Sequence, residues 1–464
     1  MTRLSAEGLA VSGAAGEALL RPLSLAVGAG ARLVILGETG SGKSLLAQAL
    51  MGMLPAGLAA SGTVGIDGAE FDAARPAAFR PLWGRRVALL PQEPWLALDP
   101  LMRAGAQVEE AHAFVRGASR AEARAAAARD LAALGLAGAE RRFPYELSGG
   151  MAQRVAFAAA TAGGAGVVIA DEPTKGLDAA RRDDVADLLL RGPEAGGALI
   201  VITHDLALAR RIGGHALLIR EGEVVEAGET AALLSAPRST YARAFVAADP
   251  EAWPAPQPRG AGAPLLRAEG VAVARGGRAL VEGFGIEIGA GEIVGLTGPS
   301  GCGKSSLGDT LLGLAAPAAG RVERLGGHPR TAFQKLWQDP VAAFPNAAPL
   351  GAILRETARR HGAPETRIGE GMERMRLPIS LLARRAGEVS GGELQRLALL
   401  RVSLAAPRVL FADEPTSRLD PVTQAEVIRQ IRDLAEGGCA VLLVSHDPAL
   451  IGKTAGRSLS LAPA

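Results

Sequence analysis

Two copies of one eight-residue pattern give the strongest chemical signal in the chain. Each copy fits G-x-x-x-x-G-K-S. The copies are Gly37, Glu38, Thr39, Gly40, Ser41, Gly42, Lys43 and Ser44, and Gly298, Pro299, Ser300, Gly301, Cys302, Gly303, Lys304 and Ser305. The glycines let successive backbone N–H groups turn inward around phosphate oxygens. The lysine can then reach the β- and γ-phosphates, and the serine hydroxyl can ligate Mg²⁺. The pattern therefore predicts two nucleotide-binding loops.

Two carboxylates and a histidine follow each loop farther along the chain. In the same order in both halves, they are Asp171, Glu172 and His204, and Asp413, Glu414 and His446. The first carboxylate can hold Mg²⁺, the second can act on an attacking water as its general base, and the histidine can contact the γ-phosphate and orient that water. A single histidine at a strand end is more simply a satisfied polar residue, but the order repeated twice favours a catalytic role. We therefore predict Glu172 and Glu414 as the general bases.

The predicted elements around these residues have the order that a phosphate site needs. Apolar runs at 33–36 and 293–296 are predicted as strands before the loops, and helix-like runs follow at 45–53 and 307–314. The start of a helix adds the positive end of its dipole to an anion site. Elsewhere, β-rich apolar runs alternate with helical stretches, which predicts an α/β fold with a mainly parallel sheet covered by helices.

The motifs divide the chain into two homologous halves. A segment that begins Ala-Glu-Gly at Ala6 recurs at Ala268, and all the motifs above recur after it in the same order. A chain of 464 residues is also too long for one hydrophobic core. We predict a nucleotide-binding domain at 1–248, an extended Pro/Gly-rich linker at 249–264 and a second nucleotide-binding domain at 265–464.

The composition excludes several classes of protein. With 48% hydrophobic and 21% charged residues and a net charge of +2, the chain has an ordinary globular composition, and nothing predicts a nucleic-acid partner. The two cysteines, Cys302 and Cys439, are too few for a disulfide scaffold, a four-cysteine zinc site or an iron–sulfur cluster, which favours the cytosol. Residues 45–66 carry no charge over a length that could cross a bilayer, but glycines and Pro55 interrupt them. We expect a helix, a turn and a strand there, and no membrane span.

Taken together, the motifs resemble the ATP-binding-cassette (ABC) family over nearly the whole chain. In that family's terms the loops are Walker A, and the carboxylate pairs end Walker B. The segments that look like the signature motif are Ser148, Gly149 and Gly150, and Ser390, Gly391 and Gly392. Residues 176–178 and 418–420 match the D-loop, and the two histidines match the switch histidine. The resemblance implies ATP and Mg²⁺ as cofactors. It also implies two sets of Mg²⁺ ligands, which are Ser44, Gln92 and Asp171, and Ser305, Gln338 and Asp413, with the two glutamines at the Q-loop position.

The resemblance also implies how two cassettes work together. In the family, two cassettes close head to tail with two ATP molecules between them, and each site takes Walker A from one cassette and the signature serine segment from the other. Both halves lie on one chain here, so an intramolecular pseudo-dimer is expected, and the linker raises their effective concentration. Neither glutamate is replaced, which predicts two hydrolytically competent sites.

The sequence after each Q-loop glutamine resembles the dipeptide, oligopeptide and nickel importers. Residues 93–147 and 339–388 would then be helical subdomains that receive a permease. This implies an energy-coupling subunit, peripheral on the cytoplasmic face of the inner membrane, with two integral-membrane permeases and a periplasmic or extracellular solute-binding protein as partners. The alternatives are a soluble tandem cassette that acts on the ribosome or nucleic acid, and an exporter ATPase.

One position departs from the family pattern. The family usually stacks an aromatic ring on adenine from the strand before Walker A, but no aromatic residue or histidine precedes Gly37. By alignment the ring position falls near Gly13 in the first half and near Arg275 in the second. Arg275 can stack through its guanidinium plane, whereas Gly13 cannot stack. We therefore expect the two sites to differ in base selectivity.

Overall fold

The computed structural model describes residues 2–92, 94–174, 179–256, 260, 262–299, 301–417 and 419–462. The described chain divides into two compact units, Met1–Val246 and Ala247–Ala464. Several residues with predicted roles lie outside the described ranges. They are Ser300 of the second phosphate loop, D-loop residues 176–178 and Arg418, and residues 257–259 and 261 of the predicted linker.

The first unit contains two sheets. Their strands are β1 (Thr2–Ser12), β2 (Ala18–Gly28), β3 (Arg32–Leu36), β4 (Ala59–Ile66), β5 (Ala69–Asp72), β6 (Val87–Leu90), β7 (Val167–Asp171), β8 (Ala198–Thr203), β9 (His215–Arg220) and β10 (Glu223–Glu229). One sheet has the order β2-β1-β4-β5 and is antiparallel. The other has the order β10-β9-β3-β8-β7-β6, and only its β9–β10 pair is antiparallel. The predicted mainly parallel sheet is confirmed.

Some helices of the first unit pack on the sheets, and others form a separate cluster. The helices are α1 (Lys43–Leu50), α2 (Ala104–Glu110), α3 (Arg120–Ala133), α4 (Gly149–Thr161), α5 (Ala179–Glu194), α6 (Leu206–Ile212), α7 (Thr230–Ser235) and α8 (Thr240–Ala247). Helix α1 packs in one core with strands of both sheets, and its Leu46 and Leu50 are completely buried. Helices α2 and α3, inside the helical subdomain predicted at 93–147, share a second core of small residues and leucines with α4, which lies beyond those bounds.

The second unit repeats this architecture. Its strands are β11 (Pro264–Arg275), β12 (Arg278–Gly289), β13 (Ile293–Thr297), β14 (Ala319–Arg324), β15 (Phe333–Leu336), β16 (Val409–Asp413), β17 (Ala440–Val444) and β18 (Arg457–Ser460). Its helices are α9 (Lys304–Leu312), α10 (Leu350–His361), α11 (Thr366–Arg374), α12 (Gly391–Leu404), α13 (Pro421–Glu436) and α14 (Pro448–Thr454). The antiparallel sheet has the order β12-β11-β14, and the five-stranded sheet, β15-β16-β17-β13-β18, is entirely parallel.

The central parallel strands explain why the functional residues stand where the strands end. Val34, Ile35 and Leu36 of β3 are completely buried, as expected for a strand with elements packed on both faces. The predicted catalytic residues therefore stand at or just past the carboxyl ends of such strands, as Asp171 at the end of β7 and His204 after β8. In an open parallel sheet, this is the edge where ligands bind.

Part of the predicted linker is folded. Asp249 is buried and accepts a hydrogen bond from the backbone N–H of Glu251, which caps a 3₁₀ turn at Pro250–Ala252. Trp253 packs against the core of the second unit, with the guanidinium of Arg432 at 5.3 Å from its ring centroid. The prediction of an extended linker from residue 249 is therefore wrong for these residues, because the partly buried ring of Trp253 packs on the second unit despite the proline-rich composition.

The uncharged stretch 45–66 forms the rest of α1, a turn and β4, as predicted. Within the described ranges, no helix is both long enough and apolar enough to span a membrane.

Candidate functional site

The two phosphate loops have nearly the same backbone. Gly42 and Gly303 stand immediately before α1 and α9 with φ of 101° and 97°, a left-handed conformation that glycine adopts without strain. A Cβ atom at Gly37 would lie 2.2 Å from the carbonyl oxygen of Ile219, so a side chain has no room there. The loop backbone therefore lies directly against the neighbouring strand at this glycine.

The lysine of each loop is buried and folded back on the loop. Nζ of Lys43 donates to the carbonyl oxygens of Gly37 at 2.8 Å and Glu38 at 2.7 Å. Nζ of Lys304 makes the same two bonds, to Gly298 at 2.8 Å and Pro299 at 2.9 Å. Each ammonium group is thereby held beside the backbone of its loop. A bound phosphate could replace these carbonyl oxygens as the acceptor of its hydrogen bonds.

The predicted metal ligands of the second unit are in contact. Ser305, in the first turn of α9, makes a side-chain hydrogen bond with Asp413, which is 3% exposed. Burial raises the pKa of Asp413 above its usual value, although the hydrogen bond with Ser305 and the charge of Lys335 act in the opposite direction. Hydroxyl and carboxylate oxygens are hard ligands that Mg²⁺ prefers, so this pair fits the ion. In the first unit, Ser44 is in the first turn of α1 and Asp171 ends β7.

The predicted general base and histidine meet in both units. Nδ1 of His204 lies 2.8 Å from Oε1 of Glu172, and Nε2 of His446 lies 2.6 Å from Oε1 of Glu414. Burial alone lowers the pKa of His204, but the charge of Glu172 and the hydrogen bond to it outweigh burial and raise the pKa above its usual value. The amide nitrogen of Gln338 also donates to Glu414, at 2.8 Å, so its amide oxygen remains for a metal.

The two glutamates share an unusual backbone conformation. Glu172 has φ of 48° and Glu414 has φ of 46°, in the left-handed region that non-glycine residues seldom adopt. The backbone N–H of each still bonds to the neighbouring strand, Glu172 to Ile202 at 2.8 Å and Glu414 to Val444 at 3.1 Å. Strain of this kind occurs where surrounding structure fixes a functional side chain.

The two Ser-Gly-Gly segments begin helices α4 and α12. Ser148 and Ser390 are the N-cap residues, and their hydroxyls accept from the N–H groups of Met151 at 3.4 Å and Glu393 at 3.3 Å. The following glycines Gly149, Gly150 and Gly391 have open space where a Cβ would stand. A helix N-terminus with open backbone N–H groups suits an anion.

A buried glutamine ties each of these helices to the loop after the carboxylate pair. Nε2 of Gln153 donates to the carbonyl oxygen of Pro173 at 2.6 Å, and Nε2 of Gln395 donates to that of Pro415 at 3.0 Å. These two glutamines are not among the residues with a predicted role. Their recurrence three residues after each glycine pair was the available signal.

A lysine without a predicted role lies beside Ser305 and Asp413, the predicted Mg²⁺ ligands of the second unit. Nζ of Lys335 is 2.8 Å from Oδ1 of Asp309 and 3.4 Å from Oδ2 of Asp413. Its side chain is 5% exposed. A charged residue in a short strand next to the phosphate-loop helix was the signal for it. Gln92, by contrast, is exposed at the end of β6 and remains a predicted ligand.

The two positions predicted to face adenine lie at the turns of two long hairpins, β1–β2 and β11–β12. Gly13 is buried in the β1–β2 turn, and a Cβ there would meet the carboxylate of Glu17 at 2.0 Å. Arg275 is exposed and pairs with Arg278 across the β11–β12 turn. The second strand of each hairpin runs beside the phosphate loop, since a Cβ at Gly42 would lie 3.3 Å from the carbonyl oxygen of Leu19.

Comparison with known proteins agrees with this geometry. The family model described as ABC transporter matches residues 20–175 and again residues 281–417. The chain belongs to the ABC transporter family. It is therefore an ATPase with two ABC cassettes, and the resemblance stated from the motifs is confirmed.

Curated relatives extend over most of the chain. The peptidoglycan transport ATP-binding protein YejF of Agrobacterium fabrum is 31% identical over 89% of this chain and 82% of its own length. The glutathione import ATP-binding protein GsiA of Escherichia coli K12 is 31% identical over 95% of this chain and 81% of its own length. Among solved structures, an archaeal ribosome recycling factor in complex with a ribosomal stalk protein has a TM-score of 0.70 at 24% identity, covering 97% of this chain and 87% of that one. At that identity the likeness shows the tandem-cassette fold alone.

Proposed function

We propose that this protein is the ATP-hydrolysing subunit of a peptide-type ABC importer. The observation that carries the proposal is the complete glutamate–histidine pair in both cassettes, at 2.8 Å and 2.6 Å, each at the strand edge that also holds a phosphate loop. Two complete pairs predict two active sites. The named relatives that match over most of the chain serve peptidoglycan transport and glutathione import, which favours a peptide-like cargo. A nickel chelate is the cargo that the sequence resemblance leaves open.

The chemistry at each site follows from the residues in place. The phosphate loop with Lys43 or Lys304 binds the β- and γ-phosphates, with backbone N–H groups as further donors. Mg²⁺ would be held by Ser44, Asp171 and Gln92 in one cassette, and by Ser305, Asp413 and Gln338 in the other. The ion would neutralise charge that develops on the phosphates.

The glutamate and histidine act on the attacking water. Glu172 and Glu414 take its proton, and a positioned base of this kind contributes about 10²–10⁴ in rate. His204 and His446 hold the glutamate carboxylate in place and contact the γ-phosphate. We propose further that each site is completed by the Ser-Gly-Gly segment of the other cassette, as the family resemblance implies. Closure of such sites would drive the conformational change of the permeases.

Exposed apolar residues in the helical subdomains support docking on membrane subunits. Leu101 and Tyr145 of the first cassette are 86% and 74% exposed, and Ile379 of the second is 63% exposed. Exposed single apolar residues are ordinary on a protein surface, so the assignment depends on their place in the helical subdomains, which the family resemblance gives to the permeases. The partners proposed are two integral-membrane permeases, with a solute-binding protein on the far side, and the location is peripheral on the cytoplasmic face of the inner membrane.

Purification of the tagged chain from membranes tests this proposal. Two integral-membrane proteins should co-purify with the wild type and be lost from the variants Leu101→Asp and Tyr145→Asp, while nucleotide binding remains. Leu314→Asp is the matched control, since Leu314 is 61% exposed and lies just after α9, outside both helical subdomains. Recovery of ribosomes in place of membrane proteins would overturn the importer proposal in favour of the soluble alternative.

A further inference from the structure

The second cassette contains a row of three charged side chains that ends at its predicted metal site, with Lys335 and Asp413 buried and Asp309 partly exposed. Lys335 lies between Asp309 and Asp413, with Nζ at 2.8 Å and 3.4 Å from the two carboxylates. Two aromatic rings also face the ammonium, since Nζ is 4.3 Å from the ring centroid of Trp337 and 5.6 Å from that of Phe411. The positive charge is therefore fixed in position, because carboxylates and ring faces both favour a cation.

The local fold explains how Asp309 reaches the lysine. Lys335 of β15 is the register partner of Phe411 on β16. Helix α9 approaches Phe411 through Gly308, where a Cβ atom would lie 2.2 Å from the ring. A larger residue at this position would push the helix away from the sheet. The glycine thus brings the next residue, Asp309, to hydrogen-bonding distance of Nζ.

The first cassette lacks this row. In the same strand register, Leu89 pairs with Ile169 where Lys335 pairs with Phe411. The helix positions that correspond to Gly308 and Asp309 are Ala47 and Gln48. Oε1 of Gln48 is buried and has no hydrogen-bond partner among the described residues. The two cassettes therefore carry the same predicted metal ligands in different electrostatic surroundings.

We propose that Lys335, anchored by Asp309, is a positioning residue that makes the second cassette require more Mg²⁺ than the first. Lys335 engages Oδ2 of Asp413 and so fixes the orientation of the carboxylate. It also places a positive charge beside a site for a divalent cation. Asp309 lies behind Lys335 and offsets part of that charge, so the net effect on Mg²⁺ is a weakening by a factor of about 3–30. At low free Mg²⁺ the first cassette would fill before the second.

This inference rests on the proposed function only through the assignment of Ser305 and Asp413 as Mg²⁺ ligands. The test is the Mg²⁺ dependence of binding of a fluorescent ATP analogue, with Lys43→Ala silencing the first site. In that background the double substitution Asp309→Gln and Lys335→Leu gives the second cassette the side chains of the first. The Mg²⁺ concentration at half-saturation should fall about 3–30-fold, while nucleotide affinity without metal stays within about twofold. Mn²⁺ binding followed by electron paramagnetic resonance gives an independent measure of the ion.

The reverse substitutions in the first cassette give a second test, in case the double variant of the second cassette does not fold. Gln48→Asp with Leu89→Lys, in a Lys304→Ala background, should raise the Mg²⁺ requirement of the first site by a similar factor. Lys335→Arg keeps the charge and should keep the wild-type requirement. Arg321→Leu breaks an exposed ion pair with Glu269 in the same unit and is the control that should change nothing.

The outcomes separate this inference from the proposed function. Unchanged Mg²⁺ dependence in both exchanges, with nucleotide binding intact, overturns the role of Lys335 and leaves the ATPase assignment standing. A second cassette that binds no nucleotide at any Mg²⁺ concentration overturns both.

Discussion

Nδ1 of His204 lies 2.8 Å from Oε1 of Glu172. In the second cassette the corresponding contact uses the other ring nitrogen, Nε2 of His446, at 2.6 Å from Oε1 of Glu414. The two pairs are equivalent in sequence and differ in geometry. The ring nitrogen that does not face the glutamate is therefore Nε2 in His204 and Nδ1 in His446.

Replacement of the glutamates tests their role as general bases. Glu172→Gln and Glu414→Gln should each preserve ATP binding and slow hydrolysis at the affected site by about 10²–10⁴, because the amide cannot take a proton from water. Single-turnover hydrolysis, with the other site silenced at Lys43 or Lys304, measures each rate. Normal hydrolysis by both variants would show that the base assignment is wrong.

His204 and His446 contact their glutamates through different ring nitrogens, so we expect them to tolerate different amide substitutions. The amide nitrogen of asparagine lies near the place of Nδ1, and that of glutamine lies near the place of Nε2. His204→Asn should therefore retain more activity than His204→Gln, and His446→Gln more than His446→Asn. Steady-state ATPase rates of the four variants decide the matter. If asparagine and glutamine retained activity in the same order at both positions, the nitrogen that faces the glutamate would not determine what the histidine does.

Loss of the buried glutamine on the signature helix should lower stability. Gln395→Leu leaves the carbonyl of Pro415 without its donor, and an unsatisfied buried group costs about 1–3 kcal/mol. The melting temperature, followed by circular dichroism, should fall by about 2–4 °C for each kcal/mol. Gln153→Leu should lower the melting temperature by a similar amount in the first cassette. Loss of the exposed Arg359–Glu356 pair should leave the melting temperature unchanged. An unchanged melting temperature for both glutamine variants would contradict this.

The two cysteines should react differently with thiol reagents. Burial raises the pKa of Cys439 to about 12, and the thiolate is the reactive form, so at pH 8 Cys439 should stay unlabelled until the unit unfolds. Cys302 is also buried but lies in the phosphate loop, so its labelling should be slowed by Mg-ATP. Mass spectrometry of each cysteine peptide follows both. Labelling of Cys302 that ATP leaves unchanged would contradict a nucleotide in that loop.

Base selectivity should be poorer at the first site than at the second. Gly13→Tyr should tighten ATP binding there, because stacking on a base is worth about 1–3 kcal/mol for aromatic side chains. The atoms nearest to a Cβ at Gly13 belong to the carboxylate end of the flexible Glu17 side chain, which must move aside. Glu17→Ala is the control for that displacement. Affinities for ATP and GTP, measured with one site silenced at a time, should differ less at the first site. Equal selectivity at both sites would mean that another residue covers adenine.

The sequence by itself determined the family, the duplication and most of the candidate site. Phosphate binding depends on backbone N–H groups in consecutive residues, so the loops at Gly37 and Gly298 are visible in the linear pattern. The carboxylates and histidines stand directly after buried strands, and parallel strands bring their carboxyl ends to one edge. Knowledge of the strands was therefore enough to expect Glu172 near His204.

Only the tertiary structure decided the features that depend on packing between distant segments. Lys335 meets Asp309 because Gly308 lets a helix approach the ring of Phe411, and no local pattern encodes that distance. Which nitrogen of His446 faces Glu414 depends on side-chain rotation in the folded site. Trp253 makes part of a proline-rich stretch belong to the second unit, because the packing of its partly buried ring on the core outweighs the extended tendency of its neighbours. Motif chemistry is local in the chain, whereas charge placement and burial arise from contacts that form only when the chain has folded.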